Sequence, residues 1–328
     1  MWVQILKYLF LTIIAKNGPE CYPAGAMKKL ILIDGNAIFH RAFHALPLFK
    51  TAKGEYTNAV YGFLRMFIEI MRREKPDYVA VAFDRAAPTF RHEQYEEYKA
   101  NRPPPPEQLY PQLPCLKEAL EVFNVPVFEM DGYEADDIIG TITQKAEMQP
   151  DVKTIIITGD RDALQLVTAK THVMAPLRGI SEVIEYTPDK VKEKTGLDPE
   201  QIVDYKALKG DPSDNIKGIS GIGEKQAVML LQKYHDLENI YRHLNELTEA
   251  QRKKFETGKE DAIFSKKLAT IVQDVPIKID LENCHPKKAQ YKKVKELFDR
   301  LEFKTLLKQI ESLKDFIEPD EATQQSLF

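Results

Sequence analysis

Three short apolar runs in this chain each lead into an aspartate, and no other feature constrains the fold as much. Leu30-Ile31-Leu32-Ile33 precedes Asp34, Val79-Ala80-Val81-Ala82-Phe83 precedes Asp84, and Ile155-Ile156-Ile157-Thr158-Gly159 precedes Asp160. Continuous β-branched and apolar runs of this length read as strands buried on both faces of a parallel sheet. Ligand sites in such sheets form beyond the carboxyl ends of the strands. Six further acids belong with these three: Glu134, Asp136, Asp137, Asp162, Asp211 and Asp214. Carboxylates crowded in this way repel, and some stay protonated unless cations neutralise them.

The spacing of the acids sharpens that reading. Glu134-Ala135-Asp136-Asp137 places acids at the start of a predicted helix, and Asp211-Pro212-Ser213-Asp214 repeats a three-residue interval. Asp160-Arg161-Asp162 follows a strand, where alternate side chains share a side. Taken singly, each acid is a helix cap or a turn former, and Asp131 and Asp151 are read that way. Taken together they point to hard divalent cations, Mg²⁺ or Mn²⁺, and so to phosphate chemistry. Zinc would call for His or Cys, and the only close histidine pair is His40 and His44.

The chain has 328 residues, 43% of them hydrophobic, which is enough for a buried core. A net charge of -4 and a pI of about 6.1 carry no sign of nucleic acid in bulk. Cys21, Cys115 and Cys284 share no metal-type spacing and suit a reducing cytoplasm, where the protein is expected. Residues 1–26 read as an extension outside the fold, with Met27 opening the first strand; a weak export signal is the other reading. The apolar stretch Tyr8 to Ala15 is too short to span a bilayer.

The pattern predicts an α/β domain over residues 27–190, with a mainly parallel sheet and helices on both faces. Within it, 85–110 is polar and irregular and ends in Pro103 to Pro106, which cannot continue a helix. Residues 191–315 read as a helical region and 316–328 as a flexible tail. The helical region holds Gly218-Ile219-Ser220-Gly221-Ile222-Gly223-Glu224-Lys225. This is not a dinucleotide fingerprint, because no strand precedes it. It suits a tight hairpin between two helices, either gripping phosphate through backbone N–H groups or serving as a packing joint.

In order along residues 27–310, the sequence closely resembles the 5′-nuclease (flap endonuclease-like) domain that begins bacterial DNA polymerase I and also occurs as a free-standing enzyme. The resemblance is carried by Leu32-Ile33-Asp34-Gly35-Asn36, Phe83-Asp84, Phe90-Arg91-His92-Glu93, Tyr98-Lys99-Ala100-Asn101-Arg102, Gly132-Tyr133-Glu134-Ala135-Asp136-Asp137, Thr158-Gly159-Asp160-Arg161-Asp162, Gly210-Asp211-Pro212-Ser213-Asp214-Asn215 and Gly221-Ile222-Gly223-Glu224-Lys225.

The resemblance implies a PIN-type α/β fold followed by a helix–hairpin–helix. It implies two-metal-ion hydrolysis of branched or nicked DNA and of RNA–DNA primer junctions, in primer removal and repair, by a monomer. By it Asp34, Asp84, Glu134 and Asp136 would hold one ion. Asp160, Asp162, Asp211 and Asp214 would help hold a second, with Asp136 or Asp137 near both. Residues 85–110 would form a helical arch, with Arg91, Lys99 and Arg102 catalytic and Tyr98 stacking on a displaced base. Gly218, Gly221, Gly223 and Lys225 would grip duplex phosphates, with K⁺ bound there in many members; proline is usual where Lys217 and Ser220 stand. Gln324, Leu327 and Phe328 resemble a sliding-clamp binding peptide. A truncated DNA polymerase I and a non-catalytic junction binder are the alternatives.

Overall fold

The computed structural model describes residues 27–178 and 182–318. The extension 1–26 and the clamp-type peptide with Gln324, Leu327 and Phe328 lie outside the described residues.

The apolar runs form strands as expected. In chain order the first domain contains β1 (Lys28–Asp34), α1 (Gly35–Ala45), α2 (Asn58–Glu74), β2 (Tyr78–Ala82), α3 (Phe90–Gln94), α4 (Leu113–Val122) and β3 (Val127–Phe128). It continues with α5 (Ala135–Glu147), β4 (Val152–Ile157), β5 (Thr171–Arg178) and β6 (Glu182–Tyr186). The strands form one sheet in the order β3-β2-β1-β4-β5-β6. All pairs are parallel except β5 with β6, which is antiparallel. The edge strand β6 was not foreseen, because Val183, Ile184 and Tyr186 are only half-buried and belong to no long apolar run.

Alternation along each strand builds two cores. Ile31, Ile33, Val79, Val81, Ile155 and Ile157 pack on one face with α1, α2 and α4. Leu30, Leu32, Ala80, Ala82 and Ile156 pack on the other with Ile138, Ile139 and Ile142 of α5. The sequence runs outward from β1 through β2 to β3, then returns to the other side of β1 as β4. That reversal leaves a crevice at the carboxyl ends of β1 and β4, where such folds bind ligands. Asp34 ends β1, and Asp160 lies just beyond β4.

The helical part contains α6 (Pro188–Thr195), α7 (Ile202–Lys209), α8 (Glu224–Tyr234), α9 (Leu237–Arg242), α10 (Glu249–Thr257) and α11 (Lys259–Ala269). Leu208, Ile219, Leu231, Ile240 and Phe255 form its own core. After β7 (Ala289–Gln290), helices α12 (Tyr291–Arg300) and α13 (Lys304–Ile310) do not stay with it, and the described chain ends in β8 (Ile317–Glu318). Val294, Phe298, Leu306 and Ile310 join Phe67 and Phe123 in the core of the sheet. The single helical region expected over 191–315 is therefore two units, because the apolar face of α12 and α13 is buried against the first domain. No helix among the described residues is long and apolar enough to cross a membrane.

Candidate metal and nucleic-acid site

Each acid is placed by the element it terminates or begins. Asp34 caps α1 by accepting from Ala37 N at 2.9 Å, and its other oxygen accepts from the Thr158 hydroxyl at 2.6 Å. Asp84 accepts from Ala135 N at 2.7 Å, one of the amides at the N-terminus of α5 that have no partner within the helix. Asp160 accepts from Asp162 N at 2.8 Å, and its own N–H donates to Thr158 Oγ1 at 3.0 Å. Thr158 thus ties β1 to the loop after β4.

These bonds hold the acids without cancelling their charge. Burial pushes the Asp34 carboxyl up to about 7 against its hydrogen bonds, with Asp84 and Asp160 adding to the rise. Burial also drives Asp136 well above the carboxylate range, reinforced by Asp34 and Asp160. Asp162 is raised to about 7 by burial and by Asp160, in spite of Lys206 beside it.

The remaining acids face cations. Lys99 Nζ lies 2.7 Å from Glu134 Oε1, and Arg102 lies 2.5 Å from Asp214. Burial works to raise Glu134, but Lys99 and Arg91 hold it below the usual range. Lys206 contacts both Asp162 and Asp211, at 2.5 Å in the latter case. One oxygen each from Asp162, Asp211 and Asp214 lie within 4.8 Å of one another. The sequence reading missed Lys206. Nothing in Val203-Asp204-Tyr205-Lys206-Ala207 distinguishes it from a solvated helix lysine.

Three expectations need correction. Asp137 does not face the cleft. It is fully buried, and its oxygens accept from Arg91 Nη1 and Nη2 at 2.7 and 2.8 Å, from Glu134 N at 3.1 Å and from Val272 N at 2.9 Å. With four donors it has no lone pair directed at an ion. Arg91 in turn is not a free catalytic cation. It also donates to the Leu268 and Thr270 carbonyls, stitching α3, α5 and the end of α11 together. Tyr98 cannot stack on a base as placed, because it is 4% exposed and donates to Glu134 at 3.1 Å.

The expected helical arch is also shorter than residues 85–110. Only Phe90–Gln94 is helical. The next residues lie on the loop 211–215 through Lys99 N to Asp214 O at 3.1 Å, Asn101 Nδ2 to Pro212 O at 2.5 Å and Asn215 Nδ2 to Glu97 O at 2.8 Å. Those bonds, and Pro103 to Pro106, replace helix continuation. The side of the cleft toward Asp34 and Asp84 opens into a cavity of about 740 Å³ also lined by His40, His44 and Tyr110. His40 meets Tyr110 there at 3.3 Å. Among the described residues the histidine pair belongs to no group of three potential metal ligands.

The glycine hairpin joins α7 to α8. Gly218 has φ +65°, and a Cβ on it would come within 2.2 Å of Gly210 N, so the two sides of the loop require this glycine. Gly221 has φ +79°, Gly223 caps α8, and Lys225 is exposed in the first turn of that helix. The Ile219, Gly221 and Gly223 carbonyls already accept from Ile222 N, Lys254 Nζ and Ala227 N.

The sequence matches two family descriptions end to end: "5'-3' exonuclease, N-terminal resolvase-like domain" over residues 29–196 and "5'-3' exonuclease, C-terminal SAM fold" over residues 197–293. It is 45% identical over 284 residues to DNA polymerase I of Caldicellulosiruptor bescii, covering 86% of this chain and 33% of that protein. The chain thus spans about a third of the length of the DNA polymerase I relatives it matches. It is 39% identical over 302 residues to a 5'-3' exonuclease of Aquifex aeolicus, covering 92% of this chain and 100% of that one. The fold is similar to the T5 D15 protein crystallised with metal ions, at a TM-score of 0.61 and 20% identity over 84% of this chain and all of that one. It is also similar to human GEN1 in complex with Holliday junction DNA, at a TM-score of 0.58 and 17% identity over 87% of this chain and 71% of that one. With both halves matched in order and one relative covered over its whole length, the chain belongs to the 5′-3′ exonuclease family.

Proposed function

We propose that this protein is a divalent-metal-dependent nuclease that hydrolyses phosphodiesters of branched or nicked DNA at 5′ ends and flaps. One observation carries the reading: crowded, mutually repelling carboxylates, buried to half-buried except Asp84, converge on the switch point of the sheet, and basic side chains stand beside them. The set offers carboxylate oxygens alone, which fits Mg²⁺ or Mn²⁺. Cation binding would offset the burial that raises Asp34 and Asp136 and the repulsion from neighbouring acids that adds to it. Asp34, Asp84, Glu134, Asp136 and Asp160 would hold ions on the sheet side, and Asp162, Asp211 and Asp214 on the loop side. Such ions supply Lewis-acid activation of water and stabilisation of charge on the phosphate.

The chain's own residues do the rest. Thr158 fixes the Asp34 carboxylate against β4. The Arg91–Asp137 pair holds the N-terminus of α5 and thereby Glu134 and Asp136. Lys99 and Arg102, once released from Glu134 and Asp214, reach the scissile phosphate and offset its developing charge. The hairpin, with N–H groups at the start of α8 and Lys225 beside them, grips duplex phosphate without reading bases. The C-terminal Gln324, Leu327 and Phe328 would recruit a sliding clamp.

A labelled 5′-flap duplex incubated with Mg²⁺ or with EDTA tests the proposal. Magnesium-dependent release of the flap at the junction is expected. Tight binding without cutting would overturn it in favour of a junction binder.

A further inference from the structure

We infer that Lys206 is an internal stand-in for the loop-side divalent ion and couples that ion to DNA. Its ammonium neutralises Asp162 and Asp211 in the DNA-free protein and transfers to a DNA phosphate when the ion enters. The inference rests on the metal reading of the acid cluster.

Lys206 projects from α7 and its side chain is only 12% exposed. It touches Asp162 Oδ1 and Asp211 Oδ2. Asp162 and Asp211 are two of the three acids whose oxygens converge within 4.8 Å. A divalent ion held between Asp162 and Asp211 draws on the same negative charge that holds the ammonium, and at contact distance the two cations repel. Entry of the ion therefore drives Lys206 out.

The structure provides a destination. Lys206 lines a cleft of about 810 Å³ whose wall also carries Arg102, Arg161, Lys194 and Lys209. A displaced ammonium joins those cations in a cleft that can take a phosphate backbone. Without DNA the freed ammonium meets four other cations there, answered only by Glu224 and the acids of the site itself, which opposes ion entry. With DNA it gains a phosphate. Ion and DNA each strengthen the other, and by linkage the two effects are equal.

Lys206→Met keeps the stem and removes the charge. Mn²⁺ binding is counted by electron paramagnetic resonance on the full chain, with and without a 5′-flap duplex, and flap affinity is measured in Ca²⁺. In the DNA-free Lys206→Met protein the weaker Mn²⁺ site is expected to tighten about tenfold, since one unit charge leaves the site. Flap affinity in Ca²⁺ is expected to weaken several-fold, and DNA should no longer tighten Mn²⁺ binding. Lys206→Arg retains charge and should keep the weaker site weak, which separates charge from packing. Unchanged or weaker Mn²⁺ binding in Lys206→Met, or undiminished coupling to DNA, overturns the inference. If the wild-type protein takes up no Mn²⁺, the metal reading itself fails.

Discussion

The two halves of the acid cleft are held by different forces. On the sheet side, Asp34, Asp84 and Asp160 accept from backbone amides and the Thr158 hydroxyl, donors that carry no charge. On the loop side, Asp211 and Asp214 lean on Lys206 and Arg102. Burial would raise Asp211, yet Lys206 and Ser213 keep it below the usual carboxylate range. Neutral donors fix position and leave charge to accumulate; cationic partners cancel charge and must be displaced. Apart from Glu134, which Lys99 already meets, the sheet side thus awaits a cation, while the loop side already carries its own cations, although Asp162 stays raised beside Lys206.

The largest effect should come from removing uncancelled charge. Asp136→Asn is expected to lower flap cleavage by about a thousandfold or more, while raising the melting temperature of the EDTA-treated protein. Calorimetric melts and single-turnover assays read both. A variant that cuts normally, or that is less stable without metal, would break the contrast between the halves. Arg91→Ala should strand Asp137 as a buried, unpaired charge and cost about 3–5 kcal/mol of stability in denaturant titrations. Wild-type stability with lost activity would return Arg91 to the catalytic role that the sequence suggested.

The pH dependence is expected to be smaller. Asp34 and Asp162 have folded values near 7 against an ordinary 3.8, so between these values the folded state binds more protons than the unfolded chain. The stability that these two carboxyls contribute to the metal-free protein is expected to fall as the pH rises from about 4 to about 7. Millimolar Ca²⁺ should raise the melting temperature more at about pH 8 than at about pH 5, where protons compete with the ion. Equal stabilisation at both would mean these carboxyls are not the ion's ligands. The smallest change belongs to the loop side. Ser213 donates to Asp211 from both its hydroxyl, at 2.6 Å, and its N–H. Ser213→Ala removes only the hydroxyl and should weaken loop-side Mn²⁺ binding by about 1 kcal/mol. No change would leave Lys206 as the main influence on Asp211.

Neighbouring residues mark where sequence reading stopped. Asp136 and Asp137 are adjacent acids at a helix start, alike by every local rule. Helical geometry turns Asp136 into the cleft and Asp137 inward to Arg91, which is 46 positions away. Tyr98 lies in a segment read as an exposed arch, yet loop 211–215 covers it. The apolar face of α12 and α13 was visible as periodicity, but nothing local said that it returns to Phe67 and Phe123.

The sequence by itself determined the buried parallel strands and the acids at their carboxyl ends, though not the antiparallel edge strand β6. Those follow from period-two burial and from residues next to one another in the chain. It also determined the hairpin, since positive φ at Gly218 and Gly221 is a local demand. Tertiary structure alone decided which acids keep their charge. That depends on the approach of Lys99, Arg102 and Lys206 from distant segments, and on Thr158 joining two strands. Ion pairing is set by distance in space, and no spacing along the chain encodes it.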